Sequence, residues 1–540
     1  MKRLTSLLLC ALLLLSALSA AAEPVITEPQ LPLTETPVTY TAMVVQHALD
    51  TGDASTKSLY LEREKETNVK FDWTVVPSTS KAERIATTFA SGDLPDVFVN
   101  TLDNSQVLTY GMAGALLPVS DYLEHMPNFS AILEAMPAVK TAVTMPDGKI
   151  YGLPQVNMYS VWPGNGVYVK TTAFINKTWL DKLGLEMPTT TEELQAVLTA
   201  FKEKDPNGNG QADEIPLSFV YKGWAETPSA LLYAPFGIIG MASQLNVQEG
   251  KAFYAIQDER YIQAAKYIRG LWDAGLIDPE AYTQDAKRYY AKGLEETPVY
   301  GVFIDWTGSS TVGNARILGE DNELGTGDEE YVPLPPLKGP DGTVLWENQA
   351  AGINTNRLCI ASTVENPELL LKWADYLYTP DNSIQEIWGQ FGTHTRKNED
   401  GSWTRIAPPE GVNGDEWLLQ TTTRGLPGLL TDQMVEKFDT IYPNGNTGSK
   451  RTDLKYRLSS IYAPFAVKEF YPSVVLSSEA NERIAVLMTP LRNAMVEQEV
   501  AWLTGQGDIE AEYPAFIEQL KSLGIEEVVK IYQDAKDAVQ

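Results

Sequence analysis

Residues 38–100 switch repeatedly between two periodicities. "VTYTAMVV" is a strand candidate, and "STKSLYLEREKETN" is a helix with its charge on one side. "VKFDWTVV" alternates apolar and polar residues, "SKAERIATTFASG" is a helix with a Ser start and a Gly stop, and "PDVFVN" is a short buried strand. Strands separated by helices pair in parallel, so this order predicts a largely parallel sheet covered by helices on both faces.

A second α/β unit begins near "YVKTTAFINK", with helices at "TTEELQAVLTAFKEK" and "ERYIQAAKYIRGLWDAG" and a strand at "VYGVFID". The proline-rich "YVPLPPLKGPDG" looks like a crossing between lobes, and "QAAGINTN…PELLLKWADYLY" is a further α/β segment. The C-terminal third is expected to be mostly helical. A chain of 540 residues exceeds what one core supports. The expected division is a first lobe of 38–158 plus 337–394 and a second of 159–336 plus 395–540. Open α/β sheets bind ligands beyond the carboxyl ends of their strands, so two facing lobes make a cleft.

The first 22 residues have a basic start (Lys2, Arg3), an apolar run and small residues ending at Ala20-Ala21-Ala22, the pattern of a secretory signal peptide. Residues 23–37, rich in Pro, Thr and Glu, are expected to form a linker. Cys10 lies inside the apolar run rather than after it, which argues against a lipidated first residue. Without Cys10 only Cys359 remains, so no internal disulfide forms; in "RLCIAS" it is expected to be a small buried hydrophobe. Removing Lys2 and Arg3 takes the net charge from −29 to −31. Such an excess repels nucleic acid and anionic membrane, which excludes nucleic-acid binding. The three histidines (His47, His125, His394) are too dispersed for a zinc hydrolase.

In "DPNGNGQADE", Asp205, Asn207 and Asn209 fall at the first, third and fifth positions of an EF-hand-type calcium loop, and Gly210 at the sixth. Gln211 would offer its carbonyl and Asp213 lies at the ninth. The usual Glu at the twelfth position is replaced by Pro216, and Glu214 at the tenth is placed to close the shell. The competing reading is a polar turn, since Asp, Asn and Gly are what loops use. All-oxygen ligands favour calcium over zinc or copper, in a structural role.

The ordered set "FASGDLPDVFV", "PDGKIYGLP", "INKTWLDKLGLEMPTTTEEL", "FKEKDPNGNGQADEIPL", "LWDAGLIDPEAYTQD" and "PPLKGPDG" resembles the extracellular solute-binding proteins of carbohydrate-importing ABC transporters, especially alginate-oligosaccharide and LplA-type lipoprotein binders. The resemblance spans about residues 38–540. It implies a bilobal periplasmic-binding-protein fold of type II character, closing around a sugar and docking as a monomer on a membrane permease. It also implies calcium ligation by Asp205, Asn207, Asn209, the Gln211 carbonyl, Asp213 and Glu214. The chain lacks the lipobox cysteine of many relatives.

Sugars stack their CH faces on aromatic rings and need polar partners for their hydroxyls. Trp179, Trp272 and Trp373 lie on apolar helix faces and are expected in the core. Trp306, in "FIDWTGSS", follows a strand; the segment loosely resembles that of maltose-binding proteins, a resemblance that implies a sugar-stacking Trp at this position. Trp224 and Trp162 sit in loop contexts near the lobe junction. Asn100 and Asp103 follow the first lobe's third strand, where Asp103 is equally an N-cap; Gln46 and Asp50 follow its first strand. The expected function is an exported, non-enzymatic receptor for an oligosaccharide. The alternatives are a secreted glycosidase-like enzyme or a binder of a peptide or polyol.

Overall fold

The computed structural model describes residues 23–47, 50, 52–158, 161–162, 167–318, 324, 327–348, 352–409, 412, 414–441, 447–449 and 454–538. The expected signal segment, with Cys10, lies outside these residues.

The alternation at 38–100 folds as its periodicity dictates. Strand Val38–Gln46, helix Ser58–Thr67, strand Val69–Pro77, helix Lys81–Ser91 and strand Val97–Val99 follow in order. Val38–Gln46 lies between the other two strands and is parallel to both, in register from Val38 opposite Val69 to Gln46 opposite Pro77. Gly92 stops the second helix at φ +74°, a left-handed conformation that glycine adopts without strain.

Two sheets organise the chain. The first has six strands in the order Gly428–Leu430, Gly152–Asn157, Ile353–Ile360, Val97–Val99, Val38–Gln46, Val69–Pro77. The second has four, in the order Tyr331–Pro333, Thr172–Asn176, Tyr300–Asp305, Ile215–Ser218. Neither is wholly parallel. Ile353–Ile360 runs against both neighbours in the first sheet, and Thr172–Asn176 against both in the second. Each reversed strand is the one entered just after the chain crosses from the other sheet. Separate apolar cores pack on each sheet: one includes Val44, Phe71, Val97, Leu153 and Trp373, the other Phe201, Leu217, Val302 and Trp346. Trp179 and Trp373 are buried and Trp272 packs against the second core, as expected, and Cys359 is fully buried.

Two features depart from the sequence reading. Residues 395–449 are not helical in the main; they include the four-stranded sheet Thr395–Lys397, Trp403–Ile406, Phe438–Ile441, Thr447–Ser449. The sequence also assigns 395–441 to the second lobe, whereas strand Gly428–Leu430 pairs with Gly152–Asn157 in the first sheet. Trp403, Leu430 and Phe438 pack with Ile384 and Trp388 of helix Pro380–Trp388. The buried Glu386 fastens this return: it accepts from Arg63 Nη1 at 2.8 Å, Thr422 Oγ1 at 3.0 Å and the Leu426 N–H at 3.2 Å. Residues 23–37 form no helix or strand, yet the segment is held to the first lobe by Thr27 N–H to Asn128 Oδ1 at 2.7 Å and by Leu33 on the core.

The Arg63–Glu386 pair is nearly inaccessible to water. Replacing Arg63 with Met leaves a buried carboxylate unpaired and is expected to lower stability by about 3–5 kcal/mol, against under about 1 kcal/mol for breaking the exposed Lys530–Asp534 pair. Chemical denaturation of the two variants checks this.

Candidate functional site

Strand Tyr300–Asp305 is buried at every residue, and its parallel neighbour Ile215–Ser218 ends at the same edge of the sheet. Side chains just past these two ends therefore emerge side by side. Trp306 follows the first and Trp224 lies in the turn after the second, and their ring centroids are 6.2 Å apart with the planes inclined at 54°. Trp224 is 58% exposed, a large apolar ring facing solvent, and Trp306 is half-buried with an enclosed Nε1 that has no hydrogen-bond partner among the described residues.

Charged groups position this pair. Asp305 accepts the Trp306 N–H at 2.6 Å and the Thr311 hydroxyl at 3.0 Å. Burial, reinforced by the nearby Glu226, pushes its carboxyl up to about 6, against the opposing effect of those two hydrogen bonds and Lys455. On the opposite side the buried Lys455, from helix Leu454–Tyr462, donates to the Trp306 carbonyl at 2.7 Å, the Lys170 carbonyl at 3.1 Å and Thr172 Oγ1 at 3.3 Å. Its ammonium also stands 5.5 Å from the Trp306 ring centroid, and that of Lys170 stands 5.9 Å from the Trp224 ring. Glu226, 4% exposed, accepts from the Tyr290 hydroxyl and from the Ala225 N–H at 2.9 Å.

Of the residues singled out in the sequence, Trp306 and Trp224 are brought together. Trp162 forms the short strand Val161–Trp162, against which helix Leu454–Tyr462 packs; its side chain lies outside the described residues. Asn100 is exposed just past strand Val97–Val99, at φ +51°, its N–H donating to the Arg357 carbonyl at 2.8 Å. Gln46 is half-buried and donates to the Gly52 carbonyl at 3.2 Å. Asp103 caps helix Asn104–Met112 in a reciprocal box with Gln106. Asp50 is buried against Lys57 at 2.6 Å and accepts the Gly52 N–H at 2.9 Å. Sequence reasoning missed Lys170, Lys455, Glu226 and Tyr290, which belong to no motif and meet only in the fold.

The loop 205–214 turns its oxygens inward. Asp205 accepts the Gly208 and Gly210 N–H groups at 2.9 and 3.1 Å, Asn207 the Asn209 N–H and Asn209 the Gln211 N–H. The side-chain amides of Asn207 and Asn209 both donate to Asp213 at 2.8 Å. Among the described residues no three or more His, Cys, Asp or Glu stand close enough to hold a metal. The donor set nonetheless suits a hard cation. The three acids lie close enough for Asp205 and Asp213 to help burial raise the Glu214 carboxyl, and Glu214 Oε1 is buried with no partner.

The family model for the bacterial extracellular solute-binding protein matches residues 48–384, more than half of the chain. The chain belongs to that family. It is 32% identical over 515 residues to the fructooligosaccharide ABC transporter substrate-binding protein FusA of Streptococcus pneumoniae, covering 93% of this chain and 90% of that protein. The solved structure of a FusA EF-hand mutant in complex with fructo-nystose superposes with a TM-score of 0.76 at 31% identity, covering 93% of this chain and 99% of that one. An HMO-binding, ABC-transporter-associated solute-binding protein from Bifidobacterium longum infantis gives a TM-score of 0.75 at 26% identity, with the same coverage. The bilobal fold expected from the sequence is that of these neighbours.

Asp305 yields a stability prediction with a definite sign. Its carboxyl binds a proton more readily folded than unfolded, so its contribution to stability is full below its ordinary value of 3.8 and is lost as pH rises through about 6. The loss amounts to about 3 kcal/mol, and Asp305→Asn is expected to remove it. Denaturant unfolding of both proteins between those two pH values measures the difference.

Proposed function

We propose that this chain is the exported receptor of an ABC importer, taking up an oligosaccharide between its lobes and delivering it to a membrane permease without altering it. The observation that carries this reading is the pair of indoles, Trp224 and Trp306, at the carboxyl ends of two parallel strands in a bilobal fold. Rings inclined to one another offer stacking surfaces to two successive sugar units. Trp162, Asn100 and Gln46 are proposed contacts around them. Asp103 and Asp50, the remaining candidates, are engaged in a helix cap and an ion pair, and join only by leaving those partners. Closure of the lobes about the ligand is a hinge motion of the crossing segments.

The carboxylates nearest the indoles speak for binding rather than hydrolysis. Both oxygens of Asp305 and both of Glu226 accept hydrogen bonds from the protein, so neither is poised as a free acid or nucleophile. Relatives named for transport rather than turnover agree. We propose further that loop 205–214 holds a structural calcium ion through Asp205, Asn207, Asn209, the Gln211 carbonyl, Asp213 and Glu214, its two positive charges offsetting most of the charge of three neighbouring carboxylates. The EF-hand of FusA supports this reading. The chain is taken to act as a monomer.

Calorimetry against a panel of oligosaccharides, with product analysis, tests the receptor. Binding without turnover is expected, with Trp306→Ala weakening it about tenfold or more; turnover of any glycan overturns the reading. For calcium, a chelator is expected to lower the melting temperature, and elemental analysis to find one calcium per chain. An unchanged melting temperature and no bound calcium remove that assignment.

A further inference from the structure

Two lysines approach the indole pair, and they differ in what their ammonium groups are doing. Lys455 is buried and gives its hydrogens to two carbonyls and a hydroxyl. Lys170 is half-buried, and its ammonium has no hydrogen-bond or ion-pair partner among the described residues. Its backbone is held in place, since its own carbonyl accepts from Lys455. A fixed backbone thus presents three unused donors 5.9 Å from the centre of the exposed Trp224 ring.

An ammonium partly withdrawn from water without partners is costly, and the surroundings account for why it is kept. Burial pushes it down, while Glu347 and Glu226 oppose that shift. Both are nearly inaccessible, at 5% and 4% exposure, and neither lies within ion-pair distance of it. The two acids therefore favour the charged form of Lys170 against the effect of burial, without occupying its hydrogens. Glu347 lies, like Lys170, on a segment crossing between the two sheets.

We propose that Lys170 is a specificity-determining residue of the sugar site, donating to ligand hydroxyl or ring oxygens and restricting the site to neutral oligosaccharides. The proposal rests on the receptor reading above. The selectivity follows from charge. A uronic carboxylate stacked on Trp224 meets one ammonium with unused hydrogens, while Glu226 and Glu347 lie near enough to act on that ammonium and Glu226 acts on Asp305 beside Trp306, where the Lys455 donors are already taken. A hydroxyl takes the same hydrogen bond without the repulsion. The net charge of −29 acts in the same direction at long range.

The test compares the wild type with Lys170→Met, Lys170→Arg and Glu347→Gln by calorimetry. The probes are a panel of neutral fructan, manno- and malto-oligosaccharides and, as the acidic probe, trigalacturonate. Circular dichroism and melting temperature show whether each variant folds. The wild type is expected to bind a neutral oligosaccharide at least about tenfold more tightly than trigalacturonate. Lys170→Met is expected to lose about tenfold or more of the neutral affinity with its fold intact, and Lys170→Arg to recover part of it. Glu347→Gln is expected to narrow the neutral-to-acidic ratio, a readout that a purely structural role leaves unmoved. A folded Lys170→Met variant that binds like the wild type overturns the inference and leaves the receptor standing. So does a wild type that prefers trigalacturonate, or a Glu347→Gln variant with an unchanged ratio. A wild type that binds no oligosaccharide overturns the receptor reading and this inference together.

Discussion

The site depends on how the central strand of the second sheet ends. Tyr300–Asp305 is buried throughout, so every backbone polar group that leaves its ladder needs a partner inside the protein. Asp305 takes the N–H of Trp306, and Lys455 and Thr172 take its carbonyl. The peptide units on either side of Trp306 are thereby held by ionic partners at low exposure, and the indole stands at a fixed angle to Trp224 instead of folding back on the core. A buried ammonium and a buried carboxyl are poor sources of stability, but they define one geometry with little tolerance for another.

Loop 205–214 and this platform are two ends of one stretch of chain. Residues 205–214 lead directly into strand Ile215–Ser218, whose first N–H is held by the Val299 carbonyl at 2.7 Å and whose far end runs toward Trp224. The cation proposed for the loop would therefore brace the strand whose continuation carries the exposed ring, and would act on binding without any contact to ligand.

Much of this is legible in the sequence where strand and helix patterns alternate regularly. The five elements of 38–100 are three to eleven residues each but alternate without interruption, so each confirms its neighbours. Trp179 and Trp373 were placed in the core by helical spacing alone. The strands of 395–449 were missed because runs of three or four residues, such as Thr395–Lys397, are too short to display a period of two. The lobe boundary was misplaced for a related reason: Gly428–Leu430 shows nothing locally of its pairing with Gly152–Asn157, more than two hundred residues earlier. The reversed strands of both sheets each follow a crossing of the chain, and the sequence marks only the second crossing, as the proline-rich "YVPLPPLKGPDG". Around the candidate site, Trp306 stands out in the sequence because a strand end is a local signal. Lys170 and Lys455 do not, because a lone lysine is ordinary until the fold sets its ammonium against a ring.

The central claim is that sugar is held on the Trp224–Trp306 platform. A crystal structure of the protein with a bound oligosaccharide tests it most directly. Electron density for a sugar ring against the Trp306 indole, with a second unit at Trp224, is the predicted result. The most prominent rivals differ in character. A cavity of about 740 Å³ between helix Pro137–Val143 and the C-terminal helices has no aromatic ring among the described residues of its lining. Another of about 440 Å³ is lined in part by Phe253, Phe465 and Arg260, with neither indole among the described residues of its lining. A sugar ordered in either, with the two indoles bare, contradicts the account.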